Sequence, residues 1–176
     1  DKEDFVLMEW IMSIELMTSQ LKGWQEVLEG DWSDDADLWS SYPESAIKVE
    51  YWNEHWFPFV HDHSGNYIAI DLSPGPKGTK GQIIVCGRDE DHKFVVAKNL
   101  EGFFKLLNQQ IKAGAMALGK DNLFEFTRYS DIHPFDALRQ ILKVPTKQAD
   151  GTMKFVQHKK AEGVTTTAVF TLSLIH

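Results

Sequence analysis

The sequence predicts a single α+β domain, an antiparallel β-sheet meander with helices packed against it. Residues 56–97 hold four short apolar runs separated by turn residues, with connections too short for parallel crossovers. Residues 13–29 and 99–111 on either side carry apolar side chains at helical spacing. At 176 residues and 43% hydrophobic content, the chain is long enough to bury one sizeable core.

The elements follow in order. Residues 5–12 are apolar and form a strand candidate. Ser13 is placed to N-cap a helix running to about residue 29, with Met17, Leu21, Trp24 and Leu28 as its stripe and Gly30 as its stop. Residues 30–45 read as a polar loop carrying Trp32, Trp39 and Tyr42. Residues 56–60 are aromatic-rich, as suits a strand, and Pro58 assigns them to a sheet edge or a bulge. Asp62, Ser64, Gly65 and Asn66 supply a tight turn. Residues 67–72 then alternate, with Ile68, Ile70 and Leu72 on one face and Tyr67, Ala69 and Asp71 on the other. A glycine-rich loop over 73–81, a strand over 82–86, a charged turn at 89–91 and a strand over 94–97 complete the meander. Asn99 N-caps a second helix with Leu100, Phe103, Phe104, Leu107 and Ile111 inward. Pro134 opens a third, with Phe135, Leu138 and Leu142 on one side. Residues 164–175 alternate strictly and predict a strand, with 153–157 as its pairing candidate.

Charge and composition narrow the function. Formal net charge is −8, and the acidic excess peaks over residues 29–37 with Glu29, Asp31, Asp34, Asp35 and Asp37. Nucleic-acid binding needs the opposite sign, whereas an acidic face suits a basic protein partner. No apolar run reaches the length of a membrane span, so no membrane contact is expected. The lone cysteine, Cys86, sits within a strand and reads as a small buried hydrophobe, which points to a cytoplasmic location.

Residues that could carry chemistry form no complete set. His55, His61, Asp62 and His63 are close in sequence, but a structural zinc site wants four nitrogen or sulfur ligands, and Asp62 is more simply a turn acceptor. The Gly75–Gly78–Gly81 spacing superficially resembles a phosphate loop, yet a strand follows where a helix N-terminus is needed. Asp62 and Asp71 have no nucleophile or oxyanion donor beside them. No catalytic residue, metal or cofactor is therefore expected, and the expected activity is binding. Trp10 and Trp24 read as core. Trp52 and Trp56 are either sheet anchors or, if exposed, interface anchors. Trp32 and Trp39, among Asp34, Asp35 and Asp37, are the first candidates for a partner surface.

One run of residues also carries a family resemblance. Trp56, Pro58, Phe59, Asp62, Gly65, Asn66, Asp71, Leu72, Pro74, Gly78, Gly81, Gln82 and Ile83 occur in the order and spacing that resemble the SUKH superfamily, in its Smi/Knr-type branch. Residues 99–104 fit the helix that usually follows, and 12–17 the segment that opens a helix before the sheet. The resemblance spans about residues 5–112 and implies a SUKH-like domain over 1–142 with a C-terminal β extension over 143–176. It further implies that an N-terminal part of the family domain is missing ahead of Asp1. The branch comprises bacterial toxin-immunity proteins and fungal cell-wall-assembly regulators. The resemblance therefore implies an immunity protein that neutralises a basic toxin, such as a nuclease. The alternative is a regulatory or scaffold module of the fungal type. A metal-dependent hydrolase using His61, His63 and Asp71 is the third reading.

Overall fold

The computed structural model describes residues 11–29, 39–118, 124–129, 132–147 and 153–154. Helix α1, Ile14–Leu28, starts at Ser13, whose hydroxyl accepts the Leu16 N–H at 3.3 Å. Strand β1, Ser40–Tyr42, precedes the predicted meander of β2, Trp56–His61, β3, Asn66–Asp71, β4, Gln82–Gly87, and β5, His92–Ala97. Helix α2, Leu100–Lys112, is capped by Asn99, whose Oδ1 accepts the Gly102 N–H at 2.8 Å. A short hairpin of β6, Ala117–Leu118, and β7, Phe124–Glu125, leads to α3, Pro134–Ile141. A last hairpin pairs β8, Thr146–Lys147, with β9, Met153–Lys154.

The five-stranded sheet has the order β1-β5-β4-β3-β2. Its β2–β5 part is antiparallel throughout, while β1 runs parallel to β5. β1 lies inside the segment read as a loop. Its Ser-Ser-Tyr sequence has no apolar alternation, and only the long-range pairing of Ser40–Tyr42 with His92–Phe94 makes it a strand. β2 is the opposite edge and carries a register shift between Pro58 and Val60, so the proline sits at both an edge and a bulge. Ile11 forms an isolated bridge to Val60, the described end of the first strand candidate.

The sheet separates two apolar layers. On one side Ile68, Ile83, Val85 and Phe94 pack with Phe103 and Leu107 of α2 and Phe135 and Leu138 of α3. On the other, Tyr67, Ala69, Ile84 and Cys86 pack with Trp52, Trp56 and Trp24 of α1. The alternation read over 67–72 sorts Tyr67, Ile68, Ala69 and Ile70 correctly, whereas Leu72 lies past the end of β3 and is exposed; β4, central in the sheet, is buried on both faces. α2 differs from its expected stripe. Phe103 and Leu107 are buried, but Leu100, Phe104 and Ile111 are exposed. The helix turns Phe103 and Leu107 onto the sheet, with the Phe103 ring edge-on to Phe59 of β2 at 5.6 Å, and Leu100, Phe104 and Ile111 fall on its outer side. The strand expected over 164–175, and with it its expected pairing to 153–157, lies outside the described residues, and Met153–Lys154 pairs with Thr146–Lys147.

Gly65 and Gly81 adopt φ +98° and +86°, in the left-handed region that favours glycine. Gly65→Val and Gly81→Val should each lose about 1–3 kcal/mol through backbone strain. A denaturant titration checks this, and unchanged midpoints for both would contradict it.

Candidate functional site

The motif residues build two clamps at opposite ends of the β3 strand. The first surrounds Asp62 in the β2–β3 turn. Its Oδ1 accepts the Ser64 N–H at 2.7 Å and the Asn66 N–H at 2.9 Å, and its Oδ2 accepts Asn66 Nδ2–H at 2.7 Å. Asn66 extends the clamp to the β4–β5 turn, where its Oδ1 accepts the Asp89 N–H at 2.9 Å and its Nδ2 donates to Asp89 Oδ2 at 3.2 Å. Gly87 lies against Asn66 so closely that an added Cβ would be 2.4 Å from the Asn66 Cα. Asp62 is thus an Asx-turn acceptor, the role its sequence position implies.

The second clamp surrounds Asp71, which is fully buried. Its Oδ1 accepts the Ser73 N–H at 2.9 Å and its Oδ2 accepts Gln82 Nε2–H at 2.8 Å. Gln82 Nε2 also donates to the Ala46 carbonyl at 2.8 Å, and its Oε1 accepts the Thr79 N–H at 3.0 Å. Burial raises the Asp71 pKa, opposed by the Gln82 amide, the Ser73 N–H, the Trp56 indole and Lys48. The glycine spacing that resembles a phosphate loop has its cause here. A Cβ on Gly75 would stand 2.4 Å from the Ser45 carbonyl oxygen, and one on Gly78 2.1 Å from that of Ala46. These glycines admit the 45–46 backbone against the loop.

The predicted partner residues separate. Trp32, Asp34, Asp35 and Asp37 lie outside the described residues. Trp39 is half-buried, with Tyr51 at 5.7 Å between ring centroids and the Lys93 ammonium 5.8 Å from its ring. Trp52 and Trp56 do not form a partner surface. They are 2% and 0% exposed and belong to the core beside α1. Trp24 stacks on Trp52 at 4.3 Å and 5°, and Trp56 meets Trp52 edge-on at 5.8 Å. Burial wins because α1 brings Trp24 onto a ring that strand periodicity alone leaves uncovered. His61 and His63 are in edge contact, with centroids 4.1 Å apart. Burial, and then His63, lower the His61 pKa. No cluster of three or more potential metal ligands occurs among the described residues.

Three buried charges escape local reading. Lys93 is 1% exposed, donates to the Glu90 carbonyl at 3.2 Å and places its ammonium 5.8 Å from both the Trp39 and the Trp56 rings. Burial lowers its pKa. Its alternation with Val95, two residues on, is the one sequence signal that it faces inward. Glu90 accepts Arg139 Nη2–H at 2.6 Å, and the Arg139 guanidinium also lies 4.5 Å from the Phe94 ring. Burial raises the Glu90 pKa to about 7 against the pull of Arg139. That pair joins residues 49 apart in the chain and has no local signature.

The arrangement is therefore one in which the motif carboxylates are saturated by the chain's own backbone and amides. Comparison with known proteins agrees with the motif. The sequence pattern of the SMI1 / KNR4 family (SUKH-1) matches residues 9–106. The cell wall biosynthesis/cell cycle regulator smi1 of Schizosaccharomyces pombe is 34% identical over 128 residues, 73% of this chain and 25% of that protein. The cell wall assembly regulator SMI1 of Saccharomyces cerevisiae is 42% identical over 82 residues, 47% of this chain and 16% of that protein. A glucan synthesis regulatory protein of Neurospora crassa is 42% identical over 81 residues, 46% of this chain and 15% of that protein. The matched stretches thus span a quarter or less of these relatives' own length. The chain belongs to the SMI1 / KNR4 family (SUKH-1).

Proposed function

We propose that this chain is a non-catalytic regulatory module that acts by binding protein in the control of cell-wall assembly. The observation that carries this reading is the shared sequence with fungal relatives named as regulators of cell-wall assembly or glucan synthesis. The geometry supports it. Asp62, Asp71, Asn66 and Gln82 are engaged in holding turns and loops, an arrangement that serves a rigid platform. The net charge of −8 favours a basic partner surface. These relatives favour the regulator over toxin immunity as the role of the domain.

A chimera tests the proposal. Residues 9–147 of this chain replace the matching region of the Saccharomyces cerevisiae regulator, and growth is scored under cell-wall stress. Restored growth relative to a deletion of that region is the expected result. A stable chimera that behaves like the deletion would overturn the regulatory reading.

A further inference from the structure

α3 lies beyond residues 9–106, the stretch that matches the family, yet its N-cap residue approaches the family motif. His133 is the N-cap of α3, and its Nδ1 accepts the Phe135 N–H at 3.3 Å. An accepting Nδ1 carries no proton, so the ring proton resides on Nε2. Nε2 faces Asp62 Oδ2 at 3.7 Å. One imidazole therefore holds a helix end with one nitrogen and faces the clamp of the β2–β3 turn with the other.

We propose that His133 is an acid-sensitive pin, whose neutral ring caps α3 and whose protonation removes that cap and loosens the first turn of the helix from the sheet. Protonation makes Nδ1 a donor, so it opposes the Phe135 N–H instead of accepting it. The N-terminus of a helix is also the end that disfavours positive charge. The compensating term is attraction to the Asp62 carboxylate. Asp62 is already fixed by three hydrogen bonds from Ser64 and Asn66 at 2.7–2.9 Å, so it has little freedom to follow the ring. Asp136, in the first turn of α3, adds a second attraction. Burial outweighs both carboxylates and lowers the His133 pKa. The folded state thus prefers the neutral ring. This contribution is fully present above the ordinary value of 6.5 and is lost as pH falls through the lowered one.

The other tether of α3 titrates with opposite sign. Glu90, paired with Arg139, has a folded pKa of about 7, above its ordinary value of 4.5, so its burial is better tolerated as pH falls. A global melting temperature mixes the two groups, whereas the Phe135 amide reports on His133 directly.

The test is amide hydrogen exchange at Phe135 at pH 7.5 and 5.0, corrected for intrinsic exchange, in the parent and in His133→Asn. Asparagine is a good N-cap that does not titrate. The expected result is about a fivefold loss of Phe135 protection in the parent at the lower pH, the size of an N-cap contribution, and no comparable loss in the variant. Equal behaviour of parent and variant would overturn the proposal. So would an NMR titration that places the His133 ring at or above 6.5.

Discussion

Replacing Arg139 by Met is expected to destabilise the fold increasingly above neutral pH, by about 2 kcal/mol more at pH 8.5 than at pH 6, because deleting one partner of a buried ion pair strands the other charge only where that charge is ionised. Arg139 and Glu90 are both largely buried, with side chains 13% and 14% exposed, and their shortest contact is 2.6 Å. Methionine retains much of the packing over Phe94 but leaves the Glu90 carboxylate without its cation. The penalty should depend on pH. Arg139 holds the Glu90 pKa down against burial, so its removal raises that pKa above about 7. An acid with a raised folded pKa loses stability as pH rises from its unfolded value through its folded one. The gap between variant and parent should therefore be small at pH 6, where Glu90 is protonated in both, and widen towards pH 8.5. Adding Glu90→Gln to Arg139→Met should recover most of the loss, because a neutral amide tolerates the site better than a lone carboxylate. Urea titrations at the two pH values measure all three proteins. A cost independent of pH would show that packing, and not charge, holds this joint.

Truncating Trp56 to Ala is expected to cost about 3–5 kcal/mol. The side chain is fully buried, meets Trp52 edge-on and lies 5.8 Å from the Lys93 ammonium. Its loss leaves a cavity bounded by the sheet and α1, and weakens the aromatic surroundings of a buried cation. For a chain of this size, the melting midpoint should fall by about 10 °C. Trp39→Ala should cost less, because Trp39 is only half-buried. If the two variants melted alike, Trp56 would not have the central place assigned to it.

Much of the fold was legible in residue order because local rules govern it. Ser13 and Asn99 are helix caps in the structure as their positions predict, and Pro134 opens α3. Asp62, Gly65 and Asn66 make the turn their types favour, and alternation over 67–70 sorts side chains to the two faces. These features depend on neighbours within about five residues, so spacing encodes them. The family resemblance was equally legible, since it rests on an ordered string of residues. What only the tertiary structure decided involves distant partners. β1 is a strand because β5 offers it a parallel edge. Trp52 and Trp56 are core because Trp24 arrives from α1. Leu100, Phe104 and Ile111 stay exposed because α2 presents Phe103 and Leu107, not them, to the sheet. The Arg139–Glu90 pair and the approach of His133 to Asp62 exist only when α3 packs against the sheet. Charge and apolarity state what a side chain prefers, but which surface meets it is a property of the assembled layers. A buried charge such as Glu90 has its pKa and its energetic weight set there.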